Sequence, residues 1–357
     1  MPSTAPVRTG VDDAVRSLIV AGDTAGTMQS DETYSSAPQH HVLFGFLRQA
    51  RHVVACIVVG IFFLFLAGKV IPSPNMDGTR ALAAGPAVSL VAELAMIGGL
   101  VAAVAIGTLL TWPDAPHAGL FIASVGLIFL ACHWGPVTLL LALHQTDLAG
   151  AYRTLALQNI FWIFYILIGE ALSRGIYELI GSRNWPLYLG LPWPINTSAS
   201  NPVPSTAGYP SFPNSLVDSL ADRPVGQRIA QNLLAFISTV IVAGIFLFLL
   251  LKSQQPGQAI FACSVAFAAG AFVSSVLAPQ ADAWVIWITP PIISAAGGFL
   301  APHFAQPYPA HTGLFLMRTL PIYYSSAGLA GAIFGYYAAV RMYFRRAMEI
   351  SQSNAAT

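Results

Sequence analysis

The chain is predicted to be all-α, a polytopic integral membrane helix bundle with 7–8 transmembrane helices. Three observations carry this expectation. Of its 357 residues 55% are hydrophobic and only 9% charged, with a mean hydropathy of +0.65, outside the usual balance of a soluble domain. The apolar residues are gathered into runs close to the ~20 residues that cross a hydrocarbon core roughly 30 Å thick. Polar residues concentrate instead in an N-terminal tail and one long loop.

Residues 1–47 are polar or mixed, and their longest apolar patch, SLIVAG at 17–22, is too short for the core of a signal peptide. No cleavable signal is expected, and the first span serves as its own insertion signal. A first membrane half, 48–180, carries apolar runs at 53–71, 88–111, 117–143 and 157–180. The loop 181–228 is dense in Pro, Ser and Asn, a composition that builds no core of its own. It reads either as a linker between halves or as a partner-docking segment with Trp185, Tyr188, Trp193, Tyr209 and Phe212 as aromatic anchors. Asn196-Thr197-Ser198 within it matches a three-residue glycosylation acceptor.

A second half, 229–346, has runs at 229–251, 258–278, 283–300 and 323–343, followed by a short tail, 347–357. The seventh run is the weakest. Pro290 and Pro291 remove two backbone donors inside it, which forces a kink or a broken helix. The segment 301–322, with His303 and His311, reads as ambiguous between connection and interfacial helix.

Short similarities recur where runs begin: APHAGLFIASVGL at 115–127, QPGQAIFACSVAF at 255–267 and YPAHTGLFLM at 308–317. Either they mark an inverted repeat, or they are one common way of opening a membrane helix with proline near its first position. Two seams of small residues, Gly331/Gly335/Ala339 and Ala266/Gly270/Ser274, suit close helix approach. They pack within the monomer or serve a homo-oligomer.

Arginine supplies all but two of the 16 basic residues. Eight crossings with both termini in the cytoplasm put Arg8, Arg16, Arg48, Arg51, Arg183, Arg223, Arg228, Arg341, Arg345 and Arg346 inside, the larger share of the positive charge. The expected residence is a cytoplasmic (inner) membrane. A net charge of +1 leaves no nucleic-acid footprint. The expected surroundings are the lipid bilayer, with protein partners docking on the 181–228 loop.

Intramembrane charge is the informative feature. Glu170, Arg174 and Glu178 recur every four residues, so on a helix they share one stripe, which Asn159 joins from three turns upstream. Unpaired, each central charge costs about 2.5–3.5 kcal/mol on insertion scales; pairing at i,i+4 lowers this. The expected depths are mid-membrane for Glu170, the inner half for Arg174 and the inner surface for Glu178. Glu93 in the second run and His133 in the third are further groups of the kind used in proton relays, since burial brings their two protonation states close in energy.

No catalytic constellation is found: GxxxxGK[ST], HExxH and GxSxG are absent. No cofactor is expected; haem between His52 and His117 is the one arrangement considered, and no spacing calls for it. Cys56, Cys132 and Cys263 lie in separate apolar runs, without disulfide or zinc spacing. Two function classes therefore stand. One is a proton, ion or small-solute transporter, its path lined by Glu93, His133, Asn159, Glu170, Arg174 and Glu178 beside the Pro290-Pro291 helix break. The other is a non-catalytic membrane subunit or scaffold whose polar stripe is structural.

Overall fold

The computed structural model describes residues 38–70, 90–112, 117–132, 137, 141, 147–182, 225–304, 316 and 319–355. The N-terminal tail to residue 37, most of the 181–228 loop and His133 lie outside the described residues. The chain groups into two compact units, Met1–Phe46 with Val340–Thr357, and Leu47–Ala339. In the first, the described backbone is helical, belonging to the start of one long helix and the end of another. The second holds everything below.

All described regular structure is helical. In chain order it comprises α1 (Pro38–Val70), α2 (Leu90–Thr111), α3 (Ala118–Ala131), α4 (Leu148–Ser182), α5 (Val225–Leu250), α6 (Pro256–Leu277), α7 (Ala283–Trp287), α8 (Thr289–Phe304) and α9 (Leu329–Ala355). The turn Pro321–Tyr323 and a π-helical turn Tyr324–Gly328 lead directly into α9. Five segments are long and apolar enough to cross a membrane: Gln49–Leu66, Leu148–Ile176, Val225–Leu250, Pro256–Leu277 and Ala283–Phe304. Met96–Thr111 and Ala118–Ala131 are shorter apolar helices. The eighth run, 323–343, is not among the five; its helix continues through Arg345 and Arg346 into the polar C-terminus.

The seventh run consists of two helices. α7 closes at Trp287, Ile288 caps it, and α8 opens at Thr289. Pro290 and Pro291 thus occupy the first turn of α8, where a helix has no intrahelical use for their missing donors. Pro256 likewise sits at the start of α6.

Glycines set which helices touch. A Cβ at Gly331 or Gly335 of α9 would strike the Ser264 or Ala268 carbonyl of α6. The small-residue seam of α6 faces elsewhere: a Cβ at Gly270 would meet the Thr239 carbonyl of α5 at 3.0 Å. One face of α6 thus receives α9 and another α5. On α8, Gly298 lies against Ala156 and the Tyr152 carbonyl of α4, while Gly169 of α4 abuts Leu120 of α3 and Val104 of α2. α4 is therefore held between the α2–α3 pair and α8.

Apolar side chains face both ways, as expected of helices in lipid. Ile229, Leu233, Ile237, Ile241, Ile245 and Phe248 form an exposed stripe along α5, whereas Ala235, Ala243 and Leu247 are buried. Several hydroxyls in the helices turn back on their own backbone, as Thr111 to Gly107, Ser124 to Leu120, Thr239 to Ala235 and Ser326 to Ile322, so these four are satisfied without water. Helix ends receive side chains as well. Asp147 accepts from the Gly150 N–H at 2.8 Å at the start of α4, an N-cap contact. Arg51 of α1 donates to the Trp112 and Thr111 carbonyls at 3.0 and 3.3 Å, covering the C-terminal end of α2. Tyr323 donates to the Ala131 carbonyl at the end of α3 at 3.0 Å.

Candidate functional site

A buried ionic cluster forms where α2, α3, α4, α7 and α9 meet. Its centre is Glu170, 6% exposed. The polar stripe of α4 brings Arg174 onto the same carboxylate one turn away. The second partner comes from another helix. His117, 7% exposed and immediately before α3, places Nδ1 2.8 Å from each carboxylate oxygen. Arg174 is half exposed at its side chain, while Glu170 and His117 are enclosed.

Rings fix the imidazole. Trp287, the last residue of α7 and fully buried, meets His117 edge-on with centroids 4.6 Å apart. Tyr337 of α9 stands 6.4 Å away, and Tyr336 bridges Trp287 and Tyr337 at 6.2 and 5.8 Å. Trp287 thus makes its contact with His117 from the end of α7, one residue before the junction with α8 at Ile288. One turn beyond Glu170, the buried Ser173 shares a hydrogen bond with Thr108 of α2 at 3.0 Å, while Thr108 donates to the Val104 carbonyl.

A second ionic group adjoins this one at the same end of the helices. Arg228 of α5 grips Asp282 with two hydrogen bonds of 3.0 Å. Asn232 both donates to the Asp282 carboxylate and accepts from its backbone N–H, each at 2.8 Å. Partial burial pushes the Asp282 carboxyl up, but the hydrogen bonds from Arg228 and Asn232 and the charges of Arg228 and Arg174 outweigh it and hold it below the usual carboxylate range. The charge of Arg174 therefore reaches both acidic groups.

Of the residues singled out from sequence, Glu170 and Arg174 come together, and Asn159 lies buried on the same face of α4, donating to the Leu155 carbonyl at 2.9 Å. Pro290 and Pro291 are buried just past Trp287; Pro290 faces Gly328 of the π turn. Glu93 stands in the first turn of α2 and Glu178 near the end of α4, but neither side chain is among those described, and His133 is outside the described residues altogether. His117, weighed only as a haem partner of His52, is the residue that sequence reasoning missed. Its pairing spans 53 positions, so no local pattern announces it. The available signal is the trio Gly107, Gly119 and Gly169, whose lack of side chains lets α2, α3 and α4 close up beside Glu170. Among the described residues, no three of His, Cys, Asp and Glu are disposed to hold a metal ion.

The candidate span of α4 also has other bounds than the apolar run at 157–180. The candidate span of α4 begins at Leu148 rather than near residue 157 and ends at Ile176. Its midpoint is thus Trp162, and Glu170 lies about 9 Å inside one end, by a rise of about 1.5 Å per residue. Compared with known proteins, the chain matches no family model, no curated protein and no solved structure.

Proposed function

We propose that the chain is a multi-pass membrane transporter that moves a proton, an ion or a small solute, with the His117–Glu170–Arg174 cluster as its proton-handling site. The observation that carries this reading is the 2.8 Å contact between two buried titratable groups inside the bundle. That separation permits direct proton transfer, and neither partner needs to move for it.

Charge balance describes the cycle. With Glu170 ionised, His117 neutral and Arg174 cationic, the cluster is neutral, the form a low dielectric tolerates. A proton that reaches the Glu170 carboxylate, directly or by way of His117, leaves one positive charge in excess. Neutral Glu170 no longer holds Arg174, whose half-exposed side chain is free to turn toward solvent and toward the Asp282 group. Loading a proton is thereby coupled to release of an inter-element contact, the kind of two-state change a transporter needs.

The same reading assigns eight crossings. α1 meets the Glu170 end through Arg51, α2 finishes there, α3 starts there, and α5 and α7 begin beside Asp282. Tyr337 brings α9 back to it after Tyr323 has touched the far end of α3. Both termini then share the cytoplasmic side of the membrane.

A second reading, a non-catalytic subunit or scaffold, is favoured by one observation: Glu170 is satisfied from both sides, as a purely structural ion pair would be. Flux decides between them. Wild-type protein in liposomes is expected to dissipate a pH gradient, and Glu170→Gln to abolish most of that flux. Equal flux in the two would remove Glu170 from the path, and none in the wild type would leave the scaffold.

A further inference from the structure

Four polar side chains cluster on α4 around the midpoint of its candidate span, apart from the ionic site. Gln158, Asn159, Trp162 and Tyr165 are 4%, 0%, 0% and 6% exposed. Both amide atoms of Gln158, Oδ1 of Asn159, Nε1 of Trp162 and the Tyr165 hydroxyl have no hydrogen-bond partner. Other buried polar atoms without a partner, such as Gln231 Oε1 and Trp287 Nε1, stand singly among the described residues, whereas five gather here. A dry, unpartnered polar atom loses its water and gains nothing in return. Five within two turns of one helix call for a guest that answers them.

Gln158, Trp162 and Tyr165 fall within an arc of roughly 60° on the helix, and Asn159 stands about 60° beyond its edge, on the face that carries Glu170. Trp162 and Tyr165 are in edge contact at 5.9 Å, with Phe161 against Trp162 at 5.2 Å. One turn on, the same arc carries Gly169, which abuts Val104 of α2 and Leu120 of α3, so the row looks toward the α2–α3 side. Its chemistry is mixed and uncharged. Gln158 offers a donor and an acceptor, Asn159 an acceptor, Trp162 a donor, and Tyr165 either. Without a charge it offers an ion no counter-charge, whereas a neutral molecule with its own donors and acceptors satisfies it in full.

We propose that Gln158, Asn159, Trp162 and Tyr165 form a midplane binding site for a small uncharged solute bearing hydroxyl or amide groups. The site rests on the transporter reading and gives that reading its cargo: solute is held at the centre of α4, while Glu170, on the same helix, handles the proton. A binding site halfway through the bilayer, reached in turn from each face, is the arrangement alternating access requires.

Liposomes containing the full chain are challenged with urea, acetamide, glycerol or erythritol, and solute entry is followed by light scattering. Expected is entry of at least one probe well above that into protein-free liposomes; amides alone or polyols alone entering identifies the group recognised. Gln158→Leu combined with Tyr165→Phe is expected to slow that entry about tenfold, the effect of losing the net contribution of about one hydrogen bond. Should the pair fail to fold, Tyr165→Phe alone, which removes one oxygen, is expected to slow entry measurably. No probe entering faster than into protein-free liposomes overturns the site, as does unchanged entry in the folded variants. So does a Gln158→Leu protein that melts higher than wild type and admits solute equally well, because its amide was then merely dry. Proton flux measured alongside separates the two claims: flux without solute entry overturns this site only, and solute entry without flux overturns only the proton role of Glu170.

Discussion

Glu170 owes its position to two kinds of information in the chain. The Arg174 contact is local and legible in the sequence, because a spacing of four puts both side chains on one face of any helix. The His117 contact depends on three helices closing around small residues, and a lone histidine before an apolar run says nothing of that. The energetic consequence is testable. Glu170→Leu is expected to destabilise the protein by about 2–3 kcal/mol, below the range for fully buried pairs because Arg174 can turn to solvent. His117→Leu added to it is expected to cost much less than it does alone, since the imidazole has then already lost its acceptor. A double-mutant cycle on unfolding in detergent measures this, and strictly additive losses would mean that the pair does not interact.

At the scale of elements, helix existence was readable and helix ends were not. The apolar runs of α4, α5 and α6 stand out by length and composition, yet α4 starts at Leu148, upstream of its most apolar part, where Asp147 caps it. That shift puts the centre of the candidate span at Trp162, within the Gln158–Tyr165 row. Helix pairing was likewise hidden. The small-residue seams mark contact surfaces without naming partners, and the structure gives Gly331 and Gly335 to α6 but Gly270 to α5. Gly331→Ala is expected to lower stability by about 1–3 kcal/mol, because its Cβ meets a backbone carbonyl that cannot rotate away. Gly244→Ala, with nothing near its Cβ, is expected to be neutral or to stabilise α5 by up to about 1 kcal/mol. Thermal melts of the two variants check both.

The Asp282 clasp between α5 and the α6–α7 connection yields a pH dependence. Its carboxyl is held below the usual range in the folded protein, so folding is favoured by its ionisation. The contribution is full above the unfolded aspartate value of about 3.9 and is lost as pH falls through the lower, native one. Wild type is therefore expected to melt higher than Asp282→Asn above about pH 4, with the gap closing in more acidic buffer. A gap independent of pH would show that the Arg228 and Asn232 contacts do not rest on the charge.

For the whole molecule, composition alone announces a membrane protein, and five helices have the length and apolarity to span. The number of crossings is harder to read, because α2 and α3 have short apolar segments, α8 starts at a proline-marked break and α9 ends in a polar segment. The eight crossings proposed above would put Ser253 and Asp282, at opposite ends of α6, on opposite faces, with Asp282 on the side of both termini. Cysteines introduced at the two positions and labelled with an impermeant maleimide are expected to react from opposite sides of sealed vesicles, Asp282→Cys from the side of the termini. Labelling of both from one side would contradict the topology. Function was the least legible level, since residues far apart in the chain meet only in the fold.

The central claim is that Glu170 gains and loses a proton as the protein works. Infrared difference spectroscopy of the reconstituted protein, recorded while a pH gradient drives flux, observes that carboxyl group directly. Expected is a protonated-carboxyl band that disappears in Glu170→Gln and shifts in His117→Gln, because the imidazole is its hydrogen-bond partner. A spectrum without such a band, or one unchanged by Glu170→Gln, would contradict the claim.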